Sequence, residues 1–320
     1  MKNVVLIADV IDNHDNIDLK NNDLECISKS YFNNLFNGLS EVSNRVTHYA
    51  SIKDFINNIQ LHQNDIVLSV WSGQLSRNRK SLVPSICEAY NIAYVGADPY
   101  VSCICQDKVL SKYIAAQHNI KSAKGILIKN KCHAEELKTL KLPLIVKPNF
   151  EGGSNGISRD NIVFSYEEAL CLCNKLISYF LQPILIEEYI EGIEVCVTIA
   201  GKNGIIDVLE ADAIIIDGES EKYHVFGYEA KKSKTIKYRH APASHLLTDK
   251  MRASFINLFN SLEKIDIMRI DGKIQQDEFV LLELTSDPNY DIPASVAYDF
   301  NLAGYSYNEM LKKILSYAYH

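Results

Sequence analysis

Residues 147–157 read Lys147-Pro148-Asn149-Phe150-Glu151-Gly152-Gly153-Ser154-Asn155-Gly156-Ile157. A lysine ends a short apolar run (Leu144–Lys147), and a stretch rich in glycine, with one serine, follows it. Glycines let backbone N–H groups approach an anion closely, and a neighbouring ammonium adds a point charge. No Gly-Lys-Ser/Thr follows, so this is not a Walker loop. On turn chemistry alone it reads equally as a phosphate cradle or a flexible hairpin.

Downstream, Ser165-Tyr166-Glu167-Glu168 is a capping box that predicts a helix to about Phe180. The apolar period then changes to two. Ile184–Ile190, Val195–Ala200 and Ile205–Ile216 read as strands, with Asn203-Gly204 as a type I′ turn. Thr248 predicts the cap of a helix running through Glu263. Ile267–Ile274 and Phe279–Thr285 form a terminal hairpin around Gln275–Glu278, and Tyr307–Tyr317 a last helix. Upstream, the apolar N-terminus reads as a buried first strand and the Asn/Asp-rich residues 12–23 as a loop. A helix at Glu25–Leu39 follows, then strands at Asp65–Gly73 and Ala93–Gly96. This alternation predicts a parallel α/β layer. Asp107 opens a further helix, and Gly125–Ile128 is strand-like.

A chain of 320 residues predicts two or three domains. Lys plus Arg (33) against Asp plus Glu (40) gives −7, a balance that argues against a nucleic-acid or anionic-membrane surface. No apolar run reaches the roughly 18 residues of a membrane span, and Asp9 interrupts the one that resembles a signal peptide. The eight cysteines form neither C-x-x-C nor a zinc spacing; they read as small buried hydrophobes in a reducing cytoplasm.

Three further clusters carry candidate chemistry. On the terminal hairpin, Arg269 and Asp271 share a face, as do Glu283 and Thr285. A turn of odd length sets Asp271 opposite Glu283, which calls for a hard divalent cation or, in the bland alternative, a salt bridge with Arg269. The acidic segment Glu187-Glu188-Tyr189-Ile190-Glu191-Gly192-Ile193-Glu194 reads by itself as a solvated edge. Lys108, Lys231 and Lys232 read singly as solvated.

Taken in order, these pieces resemble the ATP-grasp superfamily, in its D-alanine–D-alanine ligase-like branch. The resemblance rests on Tyr94-Val95-Gly96-Ala97-Asp98-Pro99, Asp107-Lys108, Val146-Lys147-Pro148 with the glycine loop, Ile186–Glu194, Tyr228-Glu229-Ala230-Lys231, Arg269-Ile270-Asp271 and Leu282-Glu283-Leu284. It implies an ATP-grasp α/β (α+β grasp) fold. The expected parts are an N-terminal parallel α/β domain (1–100), a small central α+β lid (101–186) and a C-terminal antiparallel-sheet domain (187–320). By the same resemblance Lys108, Lys147 and Lys231 hold the phosphates of ATP beneath the loop Gly152, Gly153 and Ser154. Glu187, Glu188, Tyr189 and Ile190 resemble the adenine-reading linker, and Glu194 the ribose ligand. Asp271, Glu283 and Thr285 stand where one or two Mg²⁺ ions bind. Arg269, Glu25, Asn289 and Ser154 form the implied catalytic set.

Several positions depart from the family pattern. Thr285 replaces an asparagine metal ligand, Asn289 a glycine, Ser72 a histidine, Gly153 one of two loop serines and Lys232 a tyrosine. Glu25 matches only the tail of a longer N-terminal motif. The lost positions are those the family uses for D-alanine. The expectation is therefore a cytoplasmic ATP-dependent carboxylate–amine ligase acting through an acyl phosphate on amino-acid or small peptide-like substrates other than D-Ala plus D-Ala. The alternatives are a genuine D-alanine–D-alanine ligase and a non-catalytic nucleotide-binding pseudoenzyme. Neither nucleic acid nor membrane is an expected partner; a homodimer is the default assembly.

Overall fold

The computed structural model describes residues 2–11, 26–73, 77–131, 133–216 and 238–319. Its first hundred residues contribute β1 (Val4–Ile7), β2 (Val10–Ile11), β3 (Ile27–Ser28), β4 (Val46–Tyr49), β5 (Ile66–Ser69) and β6 (Ala93–Tyr94). Helices α1 (Lys29–Val42), α2 (Ile52–Asn58) and α3 (Leu82–Ala89) lie between them. The parallel sheet runs β4-β1-β5-β6, as the alternation predicts. Val4 and Leu6 point to one face and Val5 and Ile7 to the other. Each face is covered, so all four side chains are buried.

Helix α1 begins at Lys29, four residues later than expected. The Oγ of Ser28 accepts the Tyr31 N–H at 3.2 Å and caps it, while Ile27 and Ser28 pair with Val10 and Ile11 as a short parallel ladder. The expected loop at 12–23 lies outside the described residues.

Next come α4 (Pro99–Gln106), α5 (Lys108–Ala116), β7 (Lys121–Ser122), β8 (Gly125–Ile128), α6 (Ala134–Leu137), β9 (Leu144–Pro148), β10 (Ile162–Val163), α7 (Tyr166–Phe180) and β11 (Ile184–Glu188). Ser165 and Glu168 form the expected capping box. An antiparallel sheet in the order β10-β9-β11-β8 packs its apolar face on α7.

The chain ends with β12 (Ile193–Lys202), β13 (Ile205–Ile216), β14 (Tyr238–Pro242), α8 (Asp249–Ser261), β15 (Ile267–Gln275), β16 (Glu278–Thr285), α9 (Ser295–Leu302) and α10 (Tyr307–Ser316). Thr248 caps α8 as expected, whereas α9 was not anticipated. Asn203 (φ +54°) and Gly204 (φ +79°) make the predicted positive-φ turn. These strands and β7 form a six-stranded sheet, β14-β13-β12-β15-β16-β7. Val195, Val197 and Ile270 face a core shared with α4, α5 and α8, in which Phe255 and Phe259 are fully buried. The last helix folds back: Met310, Leu311 and Ile314 pack beside α1 on the first sheet. This is the α/β grasp arrangement expected.

No disulfide joins the described cysteines. Cys87, Cys105, Cys173 and Cys196 are buried, but Cys171 is exposed, so burial does not hold for every one. No helix among the described residues is long and apolar enough to cross a membrane.

Candidate active site

The second face of the six-stranded sheet is built by register. Directly opposed residues in antiparallel strands project to the same side. Ala200 stands opposite Val208 and Ile267, and this end is apolar and packs on Val296 and Phe300 of α9. Two residues along, Thr198 stands opposite Glu210 and Arg269, and Arg269 opposite Thr285. Two further on, Cys196 stands opposite Asp212 and Asp271, and Asp271 opposite Glu283. One period-two pattern thus lines up Arg269 and Asp271 of β15 with Glu283 and Thr285 of β16 along a cleft of about 430 Å³.

The opposition of Asp271 and Glu283 arises differently from the expectation. The hairpin turn has two residues, Gln276 (φ +50°) and Asp277 (φ +61°), not an odd number. A bulge between Asp271 and Gly272 then leaves Leu282 unpaired and shifts the register by one. At the bend, a Cβ on Gly272 would stand 2.1 Å from the Phe279 ring, so only glycine fits.

Arg269 grips Asp271 through two bonds of 2.7 Å, Nε to Oδ1 and Nη2 to Oδ2. Burial disfavours the Arg269 charge, yet Asp271, Cys196 and Glu283 together raise the guanidinium pKa. Lys108 Nζ lies 3.4 Å from Glu283 Oε1. The salt bridge weighed as the bland alternative is therefore present. A carboxylate has about four lone-pair sites, so bidentate Arg269 leaves acceptor capacity on Asp271. Two opposed carboxylates and the Thr285 hydroxyl are hard oxygen donors. Mg²⁺ needs only one or two protein carboxylates when substrate phosphates complete its shell, and the residues fit it.

Lys147 leaves the end of β9, where its Nζ lies 2.6 Å from Glu187 Oε2. Lys112 of α5 pairs with the other oxygen of the same carboxylate. Burial pushes the Lys112 amine down to about 8 although Glu187 counteracts it; burial would raise Glu187, but the two ammonium groups hold it low. Glu187 was expected in a base-reading linker. Instead it belongs to β11, only 2% exposed, with its side chain clamped between two lysines. The N–H groups of Glu188 and Tyr189 donate to the carbonyls of Lys124 and Pro143. Tyr189 also accepts a 3.0 Å bond from Lys273, whose amine sits 4.5 Å from its ring centroid. Ile190 and Glu194 line the cleft.

The glycine loop folds over the same space. Gly153, Ser154 and Gly156 have φ of +60°, +63° and +70°. Asn155 N–H donates to the Gly152 carbonyl and Ile157 N–H to that of Ser154. Its base is fixed by buried Glu151, whose carboxylate accepts from Arg79 (3.3 Å), Asn155 (3.0 Å) and Gln182 (2.7 Å). Asn161 Nδ2 donates to the Gly156 carbonyl at 2.8 Å. Lys108, next to the α5 cap Asp107, donates to the Glu151 carbonyl.

Ser72 sits behind the cleft-lining Cys26, whose Sγ lies 3.4 Å from the serine hydroxyl. Ser72 is 2% exposed; its N–H donates to Asp9 Oδ1 at 2.8 Å and its hydroxyl to Asp9 Oδ2. Asn289 Oδ1 accepts the Asp291 N–H at 2.8 Å, and the Tyr290 N–H donates to the Tyr31 hydroxyl. Glu25 and Lys231 lie outside the described residues, as does Lys232. The structure brings together Lys108, Lys147, Gly152, Gly153, Ser154, Glu194, Arg269, Asp271, Glu283, Thr285 and Asn289 around one cleft. Sequence reasoning missed Lys112, Lys273, Arg79 and Asp9. Lys112 alone carried a readable signal, one helical turn after Lys108 on the same face.

Residues 114–316 match the family model described as "D-ala D-ala ligase C-terminus". The vancomycin C-type resistance protein VanC2 of Enterococcus casseliflavus is 26% identical over 265 residues, covering 78% of this chain and 71% of the relative. A D-alanine–D-alanine ligase of Maridesulfovibrio salexigens is 25% identical over 280 residues, covering 87% and 88%. Among solved structures, the D-alanine–D-alanine ligase of Bacillus anthracis complexed with ATP superposes with a TM-score of 0.74 at 17% identity, covering 99% of this chain and 97% of that one.

Proposed function

The chain belongs to the D-alanine–D-alanine ligase family, an ATP-grasp family of ATP-dependent carbon–nitrogen ligases, and on that premise we propose that it joins a carboxylate other than D-alanine to a small amine-bearing acceptor. ATP and Mg²⁺ are the cofactors of the reaction. The carboxylate is activated as an acyl phosphate, the amine displaces phosphate, and an amide, ADP and phosphate are released.

The roles of the named residues are those the family resemblance implies, and the cleft geometry supports them. Lys108 and Lys147 present ammonium groups to the triphosphate, and Glu187 with Lys112 fixes where Lys147 points. The Gly152–Ser154 backbone offers N–H groups to the phosphate being transferred. Glu194 and Ile190 line the cleft, where Glu194 would take the ribose and the Ile190 backbone would read the base. Asp271, Glu283 and Thr285 would hold Mg²⁺, which would supply charge neutralisation for the phosphates. Arg269, immobilised by Asp271, stabilises charge developing on the acyl group, and the Asn289 backbone faces the same oxygen.

One observation carries the substrate reading: Ser72, standing at a histidine position of the family pattern, has both its N–H and its hydroxyl committed to Asp9. A donor pocket with that group withdrawn is a different pocket. ADP release measured over a panel of amino acids and dipeptides, with D-alanine alone as one arm, tests the reading. Turnover is expected with another acid, and D-alanyl-D-alanine made at the panel's highest rate overturns it.

A further inference from the structure

Two strands from Asp271, on the same face of the sheet, lies a titratable pair that the roles above leave unused. Cys196 stands opposite both Asp271 and Asp212, which puts the two aspartates about 10 Å apart at ~4.8 Å per strand. Asp212 is fully buried, and its Oδ2 lies 2.5 Å from Nδ1 of His240 on the neighbouring β14. The Ser295 hydroxyl donates to the same oxygen at 3.3 Å. The imidazole lines the cleft and lies against the Tyr298 ring, with centroids 5.5 Å apart and planes at 31°. Since Asp212 accepts at Nδ1, that nitrogen carries the proton and Nε2 is left as the basic atom. Nε2 is buried and has no hydrogen-bond partner among the described residues.

A pair whose only work was to fasten β14 would have that nitrogen satisfied, because buried polar atoms in folded proteins are almost always paired. Burial, and then the charge of Asp212, push the neighbouring Asp299 carboxyl well above the usual range. Glu210 and Asp299 are the other acids beside Asp212, and Tyr238 meets the imidazole edge-on.

We propose that His240, oriented by Asp212, is the general base for the acceptor amine, an inference that rests on the ligase reading above. An α-amino group with a pKa of about 8 arrives largely as ammonium at neutral pH and cannot attack in that form. In the step proposed, Nε2 takes one ammonium proton while Asp212 stabilises the resulting imidazolium. The nitrogen lone pair forms the C–N bond to the acyl carbon, and the C–O bond to phosphate breaks with its electron pair leaving on the phosphate. The departing phosphate takes the second proton from the newly bonded nitrogen, leaving the neutral amide. The geometry matches the general pattern of a base held by a third, buried group.

The test compares two acceptors on one acyl phosphate. Hydroxylamine is already uncharged near pH 7 and needs no base, so it reports the first half-reaction as hydroxamate, whereas an amino-acid acceptor reports both halves as amide. For His240→Gln the ratio of amide to hydroxamate rates is expected to fall about 10²- to 10³-fold, and its dependence on pH between 6 and 8 to flatten. Asp212→Asn, which changes the tautomer held at Nδ1, is expected to lower the same ratio. Thermal melts of both variants check that the fold persists. An unchanged ratio, or amide and hydroxamate falling together in a folded variant, overturns the proposal. If the native enzyme forms no hydroxamate with any carboxylate, the ligase reading itself fails and the base assignment falls with it.

Discussion

Replacing Glu187 by glutamine keeps the side chain's shape and removes the one negative charge between Lys112 and Lys147. Both ammonium groups are buried, at 8% and 5% side-chain exposure, and the carboxylate at 2%. Removing one partner of a buried ion pair leaves uncompensated charge and costs about 3–5 kcal/mol. With about 2.1 cal/mol/K of unfolding entropy per residue, a chain of 320 residues has ΔS near 0.7 kcal/mol/K, so the melting temperature should drop by about 4–7 °C. Function should fall with it, because Lys147 loses the group that aims its amine. The KM for ATP should rise, and ATP, itself an anion, should recover part of the lost stability. The sign with pH follows from Glu187's lowered pKa. Its stabilisation is complete above the ordinary carboxylate range and disappears as pH falls through the lower folded value. The gap between native enzyme and Glu187→Gln should therefore close in acid. Differential scanning calorimetry from pH 3 to 8 reads this directly. A variant melting within 1 °C of the native enzyme at pH 7, with an unaltered KM, would show that the two lysines do not depend on this carboxylate.

Other outcomes follow from single contacts. Lys147→Ala should reduce ADP release about 10²- to 10³-fold in protein that still folds, and full turnover would remove Lys147 from the phosphate site. Gly156→Ala should cost about 1–3 kcal/mol in urea denaturation and raise the KM for ATP. Position 156 needs φ of +70°, and a Cβ there would lie 2.5 Å from Phe180; wild-type values for both would mean the loop does not require this bend. Asp266, fully buried, is raised by burial to about 6 although the Gly96 N–H donates to it at 2.9 Å. A raised acid binds more protons folded than unfolded, so it subtracts stability as pH climbs from 4 to 6, by at most about 3 kcal/mol. Asp266→Asn should abolish that slope, and stability curves that stay parallel across this window would contradict the assignment.

Much of this architecture is local enough to be legible in one dimension. Ser165 with Glu168, Thr248 and Asp107 mark helix starts because a cap needs only a side chain and an N–H two or three residues away. The spacing of Arg269 and Asp271 assigns them one face because strand geometry repeats every two residues. Asn203-Gly204 names its own turn. What lay beyond the sequence was which strand faces which, and in what register. Asp271 meets Glu283 only because a bulge at Leu282 offsets a two-residue turn. Glu187 reads as part of an acidic linker until β9 and α5 bring two lysines to it. His240 and Asp212 are 28 residues apart with no pattern linking them, and become partners because β14 pairs with β13. Pairings of this kind are selected by burial and hydrogen bonding summed over the whole sheet, a sum to which no short stretch of chain has access.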